Sequence, residues 1–141
     1  MKRVKNGFTL IEVLVTVVIV GILMAVAMPA YNDYVIRGRL TEAFSALGTA
    51  QPAAEQFWSN NRTYVGFDTA INFPAATANF TYALSGASAS AYTVTATGIG
   101  KVAGFVYTID QNGTRATTGS PAGWGTSTSC WVDHKGGSCS N

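Results

Sequence analysis

The chain has 141 residues, 48% of them hydrophobic and only 11% charged, with 15 Gly, 4 Pro and 2 Cys. That length fits one domain, and so much apolar residue excludes disorder and collagen-like repeats; a charge content well below the roughly 25% of soluble domains points to a segment shielded from water. Net charge is +2, yet Lys2, Arg3 and Lys5 come first, and from Gly7 onward six basic residues face seven acidic ones. Arg37, Arg39, Arg62, Lys101, Arg115 and Lys135 are scattered, so bulk charge argues against nucleic acid as the main partner.

Phe8 to Met28, FTLIEVLVTVVIVGILMAVAM, is a run of 21 residues. As a helix it spans about 32 Å, close to the ~30 Å hydrocarbon thickness of a bilayer. Its many valines favour a strand in water, but a lone strand in lipid leaves its backbone unpaired, so a single membrane-crossing helix is predicted. The basic flank keeps the N-terminus cytoplasmic and sends everything after Ala30 to the far side.

Glu12 lies inside this run, where an acidic residue at mid-bilayer costs roughly 2.5–3.5 kcal/mol. Four residues from Phe8, it can snorkel to the interface or take up a proton. Otherwise it needs a cation, and the run contains none. An α-amino group, with an ordinary pKa of about 7.7–8, would arise if the chain were cut just before Phe8.

The short basic leader ending in Gly7, followed by Phe8-Thr9-Leu10-Ile11-Glu12 and the apolar run, resembles the type III signal of type IV pilins and type II secretion pseudopilins. The resemblance implies that a prepilin peptidase cleaves between Gly7 and Phe8 and methylates the new amine of Phe8. It also implies that Glu12 pairs with the terminal amine of an adjacent subunit and so sets register, a role consistent with the cost of an unpaired buried charge. Two rivals remain. Ala25-Val26-Ala27 resembles an A-x-A site, so an ordinary signal peptide would release a periplasmic binding domain starting at Met28; a permanent anchor would leave Glu12 unexplained.

Beyond the run, Ile36, Leu40, Ala43, Phe44, Leu47, Ala50, Ala54 and Phe57 with Trp58 recur at steps of three or four, predicting an amphipathic helix that stops near Asn60-Asn61. Pro29 and Pro52 predict kinks, and Gly21 weakens the helix. The resemblance implies that the stretch from Gly21 to Pro29 loosens when subunits pack in a filament.

Asn61 to Ala78 reads as a connecting loop. Phe80-Tyr82-Leu84, Tyr92-Val94, Phe105-Tyr107-Ile109 and Thr114 to Thr117 alternate as short strands, and Asn112-Gly113 predicts a type I′ hairpin turn. About four antiparallel strands covering the helix give an α+β fold, which is also the pilin fold. Gly98 to Gly104 has the wrong spacing for a phosphate-binding loop and reads as a hairpin connection. Asn61, Asn79 and Asn112 open N-x-[ST] sequons of the kind that arise by chance in a Thr-rich chain.

Cys130 and Cys139 fall beyond the membrane helix, in an oxidising compartment, and a disulfide is the favoured reading. With His134 between them, a metal site is the weaker alternative because no fourth ligand is evident, so no metal and no cofactor is expected. Trp124, Cys130-Trp131, Lys135-Gly136-Gly137 and Cys139 resemble the tail of small minor pilins of the PilE type, as does Glu55 to Tyr64, EQFWSNNRTY.

The expected organisation is a cleaved leader 1–7, a membrane and filament-core helix 8–30, and a periplasmic pilin head 31–141, with its helix at 31–60 and its sheet and loops at 61–141. The expected function is that of a structural subunit, not an enzyme. The resemblance implies a minor pilin that waits in an inner-membrane pool, is processed by the peptidase, is assembled with other pilin subunits by the inner-membrane machinery, and serves on a surface filament in motility or adhesion. A pseudopilin and a DNA-uptake pilin are alternatives; the latter would place a cation beside an aromatic ring, and Lys135 with Trp131 is the candidate contact.

Overall fold

The computed structural model describes residues 7–140, so the leader residues Lys2, Arg3 and Lys5 lie outside the described residues. Contacts divide the chain into two compact units, one reaching Val35 and the other running from Ile36 onward. Helix α1, Leu10–Asn61, contributes to both.

The helix starts at Leu10 instead of Phe8. Thr9 is the reason: its Oγ1 accepts the backbone N–H of Glu12 at 3.3 Å, satisfying one of the amides that the first helical turn leaves open. Thr9-Leu10-Ile11-Glu12 is thus a capping-box sequence, S/T-x-x-E. The helix then carries through Gly21, Pro29 and Pro52 without ending. Each proline deletes a single N–H from the ladder, and the alanines and long apolar residues around it favour continuation. At the other end, Asn61 Nδ2 donates to the Phe57 carbonyl at 2.9 Å, and Arg62 takes the left-handed conformation (φ 56°) that closes the last turn.

In the first unit no described side chain is buried. The large apolar residues from Phe8 to Met28 are exposed by 45 to 85%. By length and composition this is the one helix among the described residues that could cross a membrane.

The second unit is built on the predicted stripe. Leu40, Ala43, Leu47, Ala50 and Ala54 are fully buried, with Ile36, Phe44, Phe57 and Trp58 packed beside them. Facing them is an antiparallel sheet of four strands in sequential order: β1 Phe80–Ser85, β2 Thr93–Gly98, β3 Val106–Asp110 and β4 Arg115–Gly119. Its inward residues Phe80, Val94, Ala96, Tyr107 and Ile109 complete the core. Removing each of the larger ones from water stabilises the fold by about 1.5–3 kcal/mol.

The β3–β4 connection departs from the expected type I′ turn. Gly113 N–H donates to the Asp110 carbonyl at 3.0 Å, and Gly113 alone in the turn has positive φ (74°). Asn112 stays at negative φ because Asp110 Oδ1 accepts the amides of Asn112 and Thr114 at 2.8 and 2.9 Å. This is a type I turn followed by a left-handed glycine, the common three-residue hairpin.

Candidate assembly segment and C-terminal head loop

Gly7, Phe8 and Thr9 precede the helix, so the peptide bond between Gly7 and Phe8 lies in non-helical chain. Phe8 is 82% exposed. Glu12 follows in the first turn, where a carboxylate complements the helix dipole, and its carbonyl accepts the Thr16 hydroxyl at 2.7 Å. Gly21, Pro29 and the Ala25-Val26-Ala27 triplet all lie inside continuous helix.

In the head, Cys130 and Cys139 are joined, with their Cα atoms 6.3 Å apart. Both sulfurs are therefore unavailable as metal ligands or nucleophiles. The loop they close is tied to the sheet by four hydrogen bonds. Thr117 Oγ1 donates to the Cys130 carbonyl (3.0 Å) and accepts the Val132 amide (2.8 Å). Tyr107 Oη donates to the Val132 carbonyl (2.8 Å), and Trp131 Nε1 donates to the Thr108 carbonyl (2.9 Å). Burial, and then the negative charge of Asp133, push the Tyr107 phenol well above its ordinary range, so it remains a donor.

Trp131 is only 2% exposed. The Phe44 ring stacks on it at 5.4 Å, and the Arg115 guanidinium lies over it at 4.5 Å. The indole that the sequence offered as a DNA contact is thus packed inside the head, against an aromatic ring and a cation. Lys135, the other half of that expectation, is exposed.

Asp133 organises the tail. It is 9% exposed; its carboxylate accepts His134 Nδ1–H at 2.6 Å and the backbone N–H and hydroxyl of Ser140. Burial works to raise its pKa, but the Ser140 and His134 hydrogen bonds outweigh it and hold the carboxyl below its ordinary value. The Ser140 hydroxyl donates to Asp133, so these three residues do not form a Ser–His–Asp relay. The side chain of Asn79, one of the three sequon asparagines, is also engaged: it accepts from Arg39 at 2.7 Å and donates to Glu42 at 2.8 Å.

Sequence reasoning missed the capping role of Thr9 and the anchoring role of Thr117. The first was visible as T-x-x-E, whereas Thr117 acquires its role only when the sheet brings it beside a loop thirteen residues away in sequence.

A long N-terminal helix laid on a four-stranded antiparallel sheet, with a disulfide-closed C-terminal loop, is the type IV pilin fold. The profile of the prokaryotic N-terminal methylation motif matches residues 2–28. The profile of the type IV minor pilin ComP, DNA uptake sequence receptor, matches residues 29–105, more than half of the chain, and the chain belongs to that family. Among similar proteins, the fimbrial protein EcpC of Eikenella corrodens is 40% identical over 82 residues, covering 58% of this chain and 53% of that protein. A fimbrial protein of Neisseria meningitidis serogroup B is 39% identical over 69 residues, covering 49% and 41%. The type IV major pilin protein PilE1 of Neisseria gonorrhoeae is 39% identical over 72 residues, covering 47% and 44%. The chain thus spans about half the length of the curated relatives it matches.

Proposed function

We propose that the chain is a minor subunit of a type IV pilus with a part in DNA uptake. The observation that carries this reading is the match of residues 29–105 to the minor pilin profile named as a DNA uptake sequence receptor. The role is structural and recognitional, not enzymatic.

Cleavage between Gly7 and Phe8 by a prepilin peptidase frees the Phe8 amine for methylation, and the accessible, non-helical backbone there supports the reading. The mature chain waits in the bacterial inner membrane as a single-pass protein with its N-terminus on the cytoplasmic side. The pilus machinery then moves it into a surface filament beside other pilins. The apolar surface of α1, bare in the single chain, is covered by lipid before assembly and by neighbouring helices afterwards. Glu12 meets the Phe8 amine of the adjacent subunit, and a misregistered subunit leaves both charges unpaired in a low-dielectric core. The Gly21 to Pro29 stretch supplies the local give that packing requires.

For DNA, the head offers separate exposed cations instead of a broad basic face. Phosphate contacts depend on where single cations are placed more than on net charge. Lys135, beside the disulfide, is the contact we assign, without Trp131. The detergent-solubilised full chain should shift duplex DNA at low salt, and Lys135→Ala should weaken that binding and lower the salt slope by about one contact. Absence of any shift at low salt would remove the DNA part of the reading and leave the pilin part standing.

A further inference from the structure

The chain holds two Asn-Gly pairs, Asn6-Gly7 in the leader of the proposed processing and Asn112-Gly113 in the β3–β4 hairpin. In such a pair no β-carbon shields the glycine nitrogen, which can attack the carbonyl carbon of the asparagine side chain. The nitrogen gives its proton to hydroxide, the new C–N bond closes a cyclic imide, and the side-chain amide nitrogen takes a proton from water and leaves as ammonia. Water then opens the imide at either carbonyl, leaving aspartate or isoaspartate. At Asn112 the reaction needs only water, a free Gly113 N–H and rotation of the Asn112 backbone.

The fold cannot dispense with this glycine. Gly113 sits at φ 74°, and a β-carbon there would meet Gln51 Nε2 at 2.9 Å. Asn112 is exposed, so burial does not protect it. Hydrogen bonding does. The Gly113 N–H, which belongs to the attacking nitrogen, donates to the Asp110 carbonyl at 3.0 Å. On either side of it, the amides of Asn112 and Thr114 donate to Asp110 Oδ1 at 2.8 and 2.9 Å. The Asp110 amide donates to the Thr114 carbonyl at 3.3 Å, and Gln111 Oε1 accepts the amide of the buried Tyr92 at 3.1 Å, which fastens the turn to its neighbouring strand. The carboxylate bonds go to the flanking amides and not to the Gly113 N–H, which places Asp110 as a clamp and not as the base that would activate the nucleophile.

We infer that Asn112 is a latent deamidation site that Asp110 holds closed, so that the head is modified there only through local opening of the hairpin. A backbone N–H held by a carbonyl must lose that bond before it gives up its proton, and Asn112 must leave its turn conformation before its side chain reaches the glycine nitrogen. Both steps need the same opening, so the reaction slows in proportion to the population of the open turn. The product also undoes the clamp. Aspartate at position 112 sets a second carboxylate close to that of Asp110, and isoaspartate adds a carbon to the main chain between the two amides that Oδ1 holds.

The test follows deamidation of the detergent-solubilised full chain by mass-spectrometric peptide mapping, which separates Asn112 from Asn6. A synthetic peptide of residues 108–117 runs beside it, and hydrogen exchange is measured at the Gly113 amide. The folded chain should deamidate at Asn112 about ten-fold or more slowly than the peptide, and that slowing should match the exchange protection of Gly113 within about three-fold. Asp110→Ala should bring the folded rate to within about three-fold of the peptide's, with the near-ultraviolet circular dichroism of the head unchanged. Asp110→Asn, which keeps an acceptor oxygen without the charge, should deamidate at Asn112 more slowly than Asp110→Ala. A folded chain that reacts as fast as the peptide would overturn the inference, as would full protection in Asp110→Ala. If that variant fails to fold, the parent chain decides: a Gly113 amide that exchanges like the peptide's, or deamidation slowed far beyond its exchange protection, would overturn the inference, and agreement of the two would sustain it.

Discussion

Glu12 is both the third residue of the helix and the one carboxylate in its apolar run, and its capping position and its proposed charge role separate by substitution. Gln keeps the S/T-x-x-E/Q capping sequence but not the charge, whereas Ala loses both. If charge sets register, Glu12→Gln and Glu12→Ala should both leave a cleaved, membrane-resident protein that is missing from sheared filaments, as blotting of the two fractions would reveal; incorporation of the Gln variant would refute the charge argument. Trp131 belongs to the core, so Trp131→Ala should destabilise the head by about 3–5 kcal/mol in denaturant titration. Trp131→Phe keeps ring contact but strands the Thr108 carbonyl, a loss on the order of 1–3 kcal/mol. At Asp133 the folded carboxyl is held below its ordinary 3.8, so its contribution is complete above pH 3.8 and disappears as pH falls through the lower folded value. Asp133→Asn should therefore melt below the parent chain at pH 7, and the gap should close in acid. The oddity of Glu12 was legible in sequence because a charge in an apolar run violates a strong rule. Trp131 was not legible, since nothing local reveals that Phe44 and Arg115, far away in the chain, will cover its ring.

At the scale of elements, strand positions and the helical stripe could be read because each follows from a period: two along β1 to β4, and three or four along α1 from Ile36 to Trp58. Turn geometry could not. Asn-Gly favours type I′ in isolation, but the Asp110 carboxylate captures two amides of this hairpin and selects a type I turn with Gly113 left-handed. Gly113→Ala should therefore cost about 1–2 kcal/mol from the left-handed backbone alone. The new methyl would also press on the Gln51 amide at 2.9 Å. Asn112→Ala, at an exposed position with negative φ, should change the melting temperature little. The disulfide closes a ten-residue loop, and reducing it should lower stability by about 2.7 kcal/mol on the chain-entropy model.

For the whole molecule, the unburied helix surface from Phe8 to Met28 and the well-packed head define a protein whose first unit is completed only by its surroundings. A long apolar segment with all its large side chains exposed calls for an apolar environment, and the proposed passage from membrane to filament would provide lipid first and neighbouring helices afterwards. Peptide-level mass spectrometry of filaments sheared from the native cells tests this most directly. The account predicts a peptide beginning at Phe8 and carrying one methyl increment, at a small fraction of the abundance of the principal pilin. A mature protein that starts at Met28, or one confined to the cell envelope and missing from filaments, would contradict it.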